Sequence, residues 1–265
     1  MDYIEINKKL WDKKTEIHFG SEFYDNDSFL KGRDTLNSIE LYLLGDVKGR
    51  RILHLQCHFG QDTISLARKG AIATGVDFSE NAIEKAKQLN STAGTNAKFI
   101  QNDIYKLPDI LDEKFDIVYT SYGVVGWLAD MQKWAQVIHH FLKPGGEFVL
   151  VEFHPVVWMF SYDFRQIEFN YMDDNPIIEE LDGTYTDREA SIREKSVTWN
   201  HGLGNVINSI IKTGMIISDF QEYNYSPYNC FNNTVKVSDR KFKINGLEDK
   251  IPMVYSVKAI KEKGV

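Results

Sequence analysis

RILHLQCHFGQDT (51–63) opens as a short apolar strand, 51–56, and closes as the start of a helix, 61–69. Ile64, Leu66 and Ala67 are available to an apolar face of that helix, and Gly70 stands past its end, where glycine commonly stops a helix. The turn between strand and helix carries a single glycine, Gly60, where nucleotide-binding loops use two or three. A loop joining a parallel strand to a helix presents the free N–H groups of the first helical turn, and that end of a helix favours a negative group. Gly60 sits just before the helix, where backbone has to approach a ligand closely.

The same alternation continues outward. AIATGVDF (71–78) reads as a second strand and SENAIEKAKQL (79–89) as a second helix, with Ser79 as N-cap and Ile83, Ala86 and Leu89 at helical spacing. KFIQND (98–103) and FDIVYTSY (115–122) read as further strands. ADMQKWAQVIHHFL (129–142) is a helix with Met131, Trp134, Val137, Ile138 and Phe141 on one stripe. KPGG (143–146) reads as a turn, and EFVLVEFH (147–154) as a strand apolar enough for the middle of a sheet. This order predicts an α/β fold, an open parallel sheet covered by helices on both faces. Ligands bind such sheets beyond the carboxyl ends of the strands, near the point where strand order reverses. The loops after 56, 77, 103 and 122 are therefore the places to look.

Upstream, NKKLWDKK (7–14) and TLNSIELYLLG (35–45) are expected helices, with an aromatic loop between them at 18–32. Downstream, the alternation breaks from 155 to about 202. FRQIEFNY (164–171) and ASIREKSVTW (190–199) are expected strands on either side of a turn-rich connection at 173–187. So long an irregular segment inside a compact domain is usually functional. LGNVINSIIKTG (203–214) returns to helix. MIISDFQEYNY (215–225) and PMVYSVKAIKE (252–262) close the domain as strands, the second antiparallel at or near the sheet edge.

The chain has 265 residues, 43% hydrophobic, and a net charge of −7. No apolar run approaches the roughly 18 residues that span a bilayer, and MDYIEINKKL lacks the apolar stretch of a signal peptide. The cysteines, Cys57 and Cys230, do not make a disulfide framework, so a reducing cytoplasm is the expected compartment. They lack zinc-ligand spacing as well, and no metal is expected. With no Lys/Arg cluster, a nucleic-acid partner is disfavoured.

Three successive strand ends offer three kinds of chemistry. The loop at 56–60 makes an anion site, Asp77 suits a ribose diol, and Asp103 can accept from an exocyclic amine such as adenine N6. Taken with the order of RILHLQCHFGQDT, ATGVDFSENAIEKAKQL, FIQNDIYKLP, FDIVYTSYGVVGWLAD and FLKPGGEFVLVEFHP, the chain resembles a class I S-adenosylmethionine-dependent methyltransferase. The resemblance is good over roughly 50–154 and looser elsewhere, and the HFGQDT loop is similar to that of a bacterial subgroup of small methyltransferases.

This resemblance implies a Rossmann-like methyltransferase fold with a largely parallel seven-stranded sheet in a single domain, 1–265. It implies S-adenosylmethionine as cofactor, S-adenosylhomocysteine as product and a small-molecule acceptor. Gln56, Cys57, His58 and Gly60, with Asp62 and Thr63 in the first helical turn, would lie against the methionine and ribose. Asp77 would bind the ribose hydroxyls, with Phe78 and Ser79 beside the adenine, and Asp103 would take the adenine N6, with Ile104 on the ring face. Ser121 and Tyr122 would border the methionine end and the acceptor. Residues 1–45 would fold over the cofactor as a helical lid. Trp11, His18 or Tyr24 would then sit near the sulfonium and add a cation–π contribution. Residues 155–202 would be a cap whose aromatics either line an acceptor cavity or form the cap's own core.

The sequence departs from the family pattern at His54, where an acidic residue is usual, and at Gln56 and His58, where glycines are usual. Side-chain contacts from Gln56 and His58 are expected to stand in for backbone ones. The missing glycines also count against a nicotinamide dehydrogenase. Methyl transfer needs alignment above all, and a base only where the acceptor loses a proton. His154 and His201 are the candidates for that base, against core and helix-capping roles. A binding protein without transfer activity, and methylation of a protein or RNA, remain open alternatives.

Overall fold

The computed structural model describes residues 2–172 and 175–263. Three helices come first: α1 (Tyr3–Phe19), α2 (Asn26–Leu30) and α3 (Ser38–Leu44). The alternating section follows, with β1 (Arg51–Leu55), α4 (Gln61–Arg68), β2 (Ile72–Asp77), α5 (Glu80–Ala93), β3 (Lys98–Gln101), β4 (Phe115–Ser121), α6 (Met131–Phe141) and β5 (Leu142–Phe153). Beyond it lie β6 (Ile177–Asp182), β7 (Arg193–Thr198), α7 (Leu203–Ile211), β8 (Ile216–Tyr223), β9 (Thr234–Ser238), β10 (Lys241–Ile244) and β11 (Val254–Ile260).

The main sheet has seven strands in the order β3-β2-β1-β4-β5-β11-β8. The first five pair in parallel, and β11 runs antiparallel to both β5 and β8. Strand order reverses between β1 and β4, which opens a crevice above their carboxyl ends. Alternate residues of the strands feed two cores. Ile52, Ile117, Tyr119, Val149 and Val151 face one of them, and Leu53, Leu55, Val118, Phe148 and Leu150 face the other. Each such aliphatic side chain contributes about 1.5–3 kcal/mol when fully buried, so the parallel strands are held from both faces and their ends are rigid mounts.

Helix ends follow the sequence signals. Ser79 caps α5 by accepting from the Ala82 N–H, and Asp130 caps α6 by accepting from the Lys133 N–H. Three expectations do not hold. The segment 164–171 is not a strand; it is a loop pinned by a single bridge between Phe160 and Ile167. The partner of β7 is β6, inside the stretch read as a connection at 173–187, whose residues 173 and 174 lie outside the described residues. The expected KPGG turn is instead the irregular start of β5, where the register against β4 shifts. The β9–β10 hairpin lies in a stretch to which the sequence pattern assigned no element.

Candidate functional site

The carboxyl ends of β1, β2 and β4 open into a cavity of about 890 Å³, within the range of small-molecule and cofactor sites. Gln56, Cys57, His58, Gly60, Asp62, Asp77, Phe78, Asp103, Ile104, Ser121 and Tyr122 all line it. The sequence thus identified one wall of a real concavity.

The first loop answers the question its missing glycines raise. Gln56 and His58 adopt φ of 54° and 51°, and Gly60 adopts 77°. The left-handed backbone that glycines would take at no cost is kept at both non-glycine positions, at about 1–2 kcal/mol per residue. Two side chains are gained in return. Gln56 Nε2 donates to the Val124 carbonyl at 3.0 Å, tying the β1 loop to the β4 loop, while its Oε1 is buried with no hydrogen-bond partner. Gly60 has a different constraint: a Cβ there would fall on the Phe99 ring and lie 3.2 Å from the Ala86 Cβ. Core packing, and not only approach to a ligand, therefore requires glycine at this position.

Asp77 ends β2 with its carboxylate held by backbone. Oδ2 accepts from the His58 N–H and Oδ1 from the Ser79 N–H, both at 2.9 Å. Burial pushes its pKa up to about 6, against the pull of those N–H groups. Each oxygen keeps a second lone pair, so the carboxylate can still accept two hydroxyls. Asp103 caps a 3-10 turn by accepting from the Tyr105 N–H at 3.0 Å.

Helix α1 crosses this end of the cavity. Asp12 Oδ1 accepts from Ser79 Oγ at 2.6 Å, and Asn81 Nδ2 donates to the Asp12 carbonyl at 3.0 Å. Asn7 exchanges two hydrogen bonds with the Val197 backbone, at 2.7 and 2.9 Å, as a neighbouring strand would. Trp11 packs edge-on against both His58 and Trp127. Lys14 Nζ lies 5.2 Å from the Trp11 ring centroid and 5.6 Å from that of Trp127. Burial pulls its pKa down to about 8. His18 sits behind His58, Nδ1 to Nε2 at 3.2 Å, and burial keeps both rings neutral. Tyr24 lines the cavity and stacks on His18.

The far end is aromatic. Phe153, Trp158 and Phe231 pack ring against ring, and Phe164 packs on Phe231. Trp158 remains 41% exposed. Beneath them, Glu152 Oε2 accepts from the Val124 and Val125 N–H groups at 2.8 and 2.9 Å, and Oε1 accepts from Gly123. A buried carboxylate thus fixes the β4 loop.

Several expected residues stand elsewhere. His18, Thr63 and Ser79 are outside the cavity lining: Thr63 Oγ1 is bonded to His54 Nδ1 at 2.8 Å, and Ser79 is occupied by α1 and α5. His54 is the buried core histidine the sequence suggested. His154 is not brought to the cavity either. It follows the last residue of β5; its Nδ1 accepts from the Val156 N–H and its Nε2 lies 2.9 Å from Glu222 Oε1 on β8. His201 does line the cavity, but its Nε2 is 2.6 Å from the Leu128 carbonyl and its Nδ1 is 3.4 Å from Asn205 Nδ2. Both ring nitrogens are engaged in holding structure, so neither histidine is posed as a base. Sequence reasoning missed Lys14, Glu40 and Glu152. Glu152 had a signal, a carboxylate inside the otherwise apolar run 148–153; Lys14 and Glu40 had none.

Among the described residues no group of His, Cys, Asp and Glu side chains is arranged to hold a metal, and no helix is long and apolar enough to cross a membrane. A family model described as a methyltransferase domain matches residues 52–146. A demethylmenaquinone methyltransferase of Lactococcus lactis is 30% identical over 182 residues, 65% of this chain and 71% of that protein. An uncharacterized methyltransferase of Synechocystis is 33% identical over 131 residues, 49% of this chain, and the chain spans 59% of its length. The crystal structure of an S-adenosylmethionine-dependent methyltransferase from Clostridium acetobutylicum superposes with a TM-score of 0.57 at 18% identity, covering 94% of this chain and 95% of that one. At that identity the likeness speaks for the fold, and the sequence relatives carry the family. The chain belongs to the class I S-adenosylmethionine-dependent methyltransferases.

Proposed function

We propose that this protein transfers a methyl group from S-adenosylmethionine to a small molecule. The observation that carries the reading is the convergence of Gln56, Asp77 and Asp103, from three strand ends, on one cavity. When bound, S-adenosylmethionine supplies a methyl group on a sulfonium, whose carbon–sulfur bond breaks with its electron pair left on sulfur. The donor set fits that cofactor. Asp77 offers acceptors to two ribose hydroxyls, Asp103 to the adenine amine, and the unpartnered Gln56 Oε1 to the methionine ammonium. Phe78 and Ile104 would flank the adenine. Trp11 would supply an aromatic face for the sulfonium side, a cation–π contribution of about 0.5–2 kcal/mol.

In this reading residues 1–45 act as the lid and residues 155–202 as the cap, excluding water around the reacting atoms. Helix α1 of the lid is fastened at two points, by Asp12 to the N-cap of α5 and by Asn7 to β7. The compartment is a reducing cytoplasm, in keeping with the two free cysteines, and the HFGQDT loop marks a bacterial subgroup. The acidic chain and the aromatic far end favour a small, partly apolar acceptor over RNA or protein. The relatives include proteins named for quinone substrates, such as the Lactococcus demethylmenaquinone methyltransferase.

Calorimetric titration with S-adenosylhomocysteine, with NADH as control, tests the reading. Micromolar binding of the first and none of the second is expected. Absence of S-adenosylhomocysteine binding would reduce the reading to fold alone.

A further inference from the structure

Behind the cavity wall near the aromatic end, a buried carboxylate pairs with a hydroxyl of the wall itself. Tyr122 lines the cavity, and its hydroxyl donates to Glu40 Oε2 at 3.0 Å. Glu40 is fully buried at the start of α3, where its Oε1 accepts from the Asn37 side chain at 3.0 Å and from the Asn37 N–H at 3.3 Å. Tyr122 holds a φ of 38°, a left-handed conformation costly for an aromatic residue. The strand end is bent to present this side chain.

We propose that Tyr122 and Glu40 form a proton relay and that the methyl acceptor is an aromatic hydroxyl compound, a phenol. The proposal rests on the methyl-transfer reading above. The acceptor's hydroxyl proton passes to the Tyr122 oxygen while the Tyr122 proton passes to Glu40. Glu40 ends neutral, Tyr122 is regenerated, and the acceptor oxygen keeps the electron pair that forms its bond to the methyl carbon. Tyr122 touches the acceptor; Glu40 acts through it.

The surroundings suit this chemistry. Glu40 is faced by Asp62 of α4, by Tyr119 and Tyr122 at the end of β4, and by Tyr225 and Tyr228 beyond β8. Of the cations packed on this helix, Arg240 donates to the Asp34 and Leu36 carbonyls and to Asn37 Oδ1, and Lys258 donates to the Leu43 carbonyl. Burial, and then the like charge of Asp62, push the Glu40 pKa up to about 7, where a base works best at neutral pH. The rings of Phe153, Trp158 and Phe231 offer edges and faces to a planar acceptor. The same wall argues against an alkylamine. The Asp62 carboxylate, which lines the cavity, would hold an alkylammonium in its protonated form, which has no lone pair to attack with.

Infrared difference spectra of wild type against Glu40→Gln read the proton directly, with no acceptor present. A protonated-carboxyl band that vanishes as pH rises through about 7 is expected; titration in the ordinary carboxylate range overturns the relay. Methylation of naphthol, naphthylamine and naphthalenethiol is then followed by mass spectrometry. Naphthol is expected to be methylated, with kcat rising through neutral pH. Tyr122→Phe, which removes only the hydroxyl and stands even if Glu40→Gln fails to fold, should lower kcat about 100-fold with KM within about threefold. Three results overturn the proposal: methylation of the amine or thiol alone, methylation of none of the three, or naphthol turnover surviving in Tyr122→Phe. S-adenosylhomocysteine binding is measured alongside. Its loss in wild type defeats the methyl-transfer reading itself, whereas retained binding with any contrary result defeats the phenol relay alone.

Discussion

At the β1–β2–β3 end of the cavity the polar groups come from three neighbouring strand ends, Gln56, Asp77 and Asp103, and backbone N–H groups hold the latter two. At the other end Glu40, Tyr122, Phe153, Trp158 and Phe231 come from separate stretches and are held by one another's side chains. The first end is rigid because it is the rim of a sheet buried on both faces. The second depends on side-chain contacts between segments distant in sequence. Substitution at the rim should therefore alter cofactor binding, and substitution at the far end only the choice of acceptor. It also suggests how one fold serves many acceptors: the rim is kept while the loops vary.

Substitutions at each end test this division of labour. The largest effect is expected at Gly60→Ala, because a side chain there meets Phe99 and the backbone is already left-handed. Urea unfolding should show a loss of about 3 kcal/mol; a loss under about 1 kcal/mol would mean the rim is less rigid than its packing implies. Asp77→Ala should fold and yet bind S-adenosylhomocysteine about 100-fold more weakly, roughly 2.7 kcal/mol by calorimetry. Binding within about threefold of wild type would remove the ribose from this carboxylate.

The same group sets a pH dependence. Ribose hydroxyls are accepted by the ionised form, so ligand binding lowers the Asp77 pKa. Affinity should therefore be highest above about 6 and fall as pH drops through that value. A flat profile between pH values about one unit either side would break the assignment.

A smaller effect is expected from Gln56→Gly. Glycine tolerates the observed φ of 54°, so the turn should survive while the amide is lost. S-adenosylhomocysteine affinity should fall about fivefold, near 1 kcal/mol. An unchanged affinity would return this contact to the backbone. Smallest at the cofactor end is Trp158→Ala, expected to leave S-adenosylhomocysteine binding within about threefold while raising the acceptor KM about tenfold. If cofactor binding falls instead, the two ends are not separable.

The strands and helices of 51–142 were legible because their signals are local. Alternation of apolar residues, Ser79 before a helix and Gly70 after one depend on neighbours within a turn or two. Segment 164–171 misled because its aromatics have strand-like composition, yet Phe164 packs on Phe231 and the Tyr171 hydroxyl accepts from the Leu203 N–H. His154 looked catalytic from its position at a strand end, but its direction is set by Glu222 on β8, a pairing no local pattern encodes. Lys14 lay unremarked in a run of charges until the helix turned it over Trp11 and Trp127.

By itself, the sequence determined the α/β alternation, the strand-end carboxylates Asp77 and Asp103, and the loop that replaces two glycines with Gln56 and His58. Backbone propensity and hydrophobic periodicity are short-range, and they are written in consecutive residues. Packing of the whole chain was needed to show that Gln56 and His58 keep the left-handed turn, that Asn7 and Asp12 fasten α1 across the cavity, and that Glu40 meets Tyr122. Those outcomes depend on which distant side chains burial forces together, and on the cost of leaving a buried polar group without a partner.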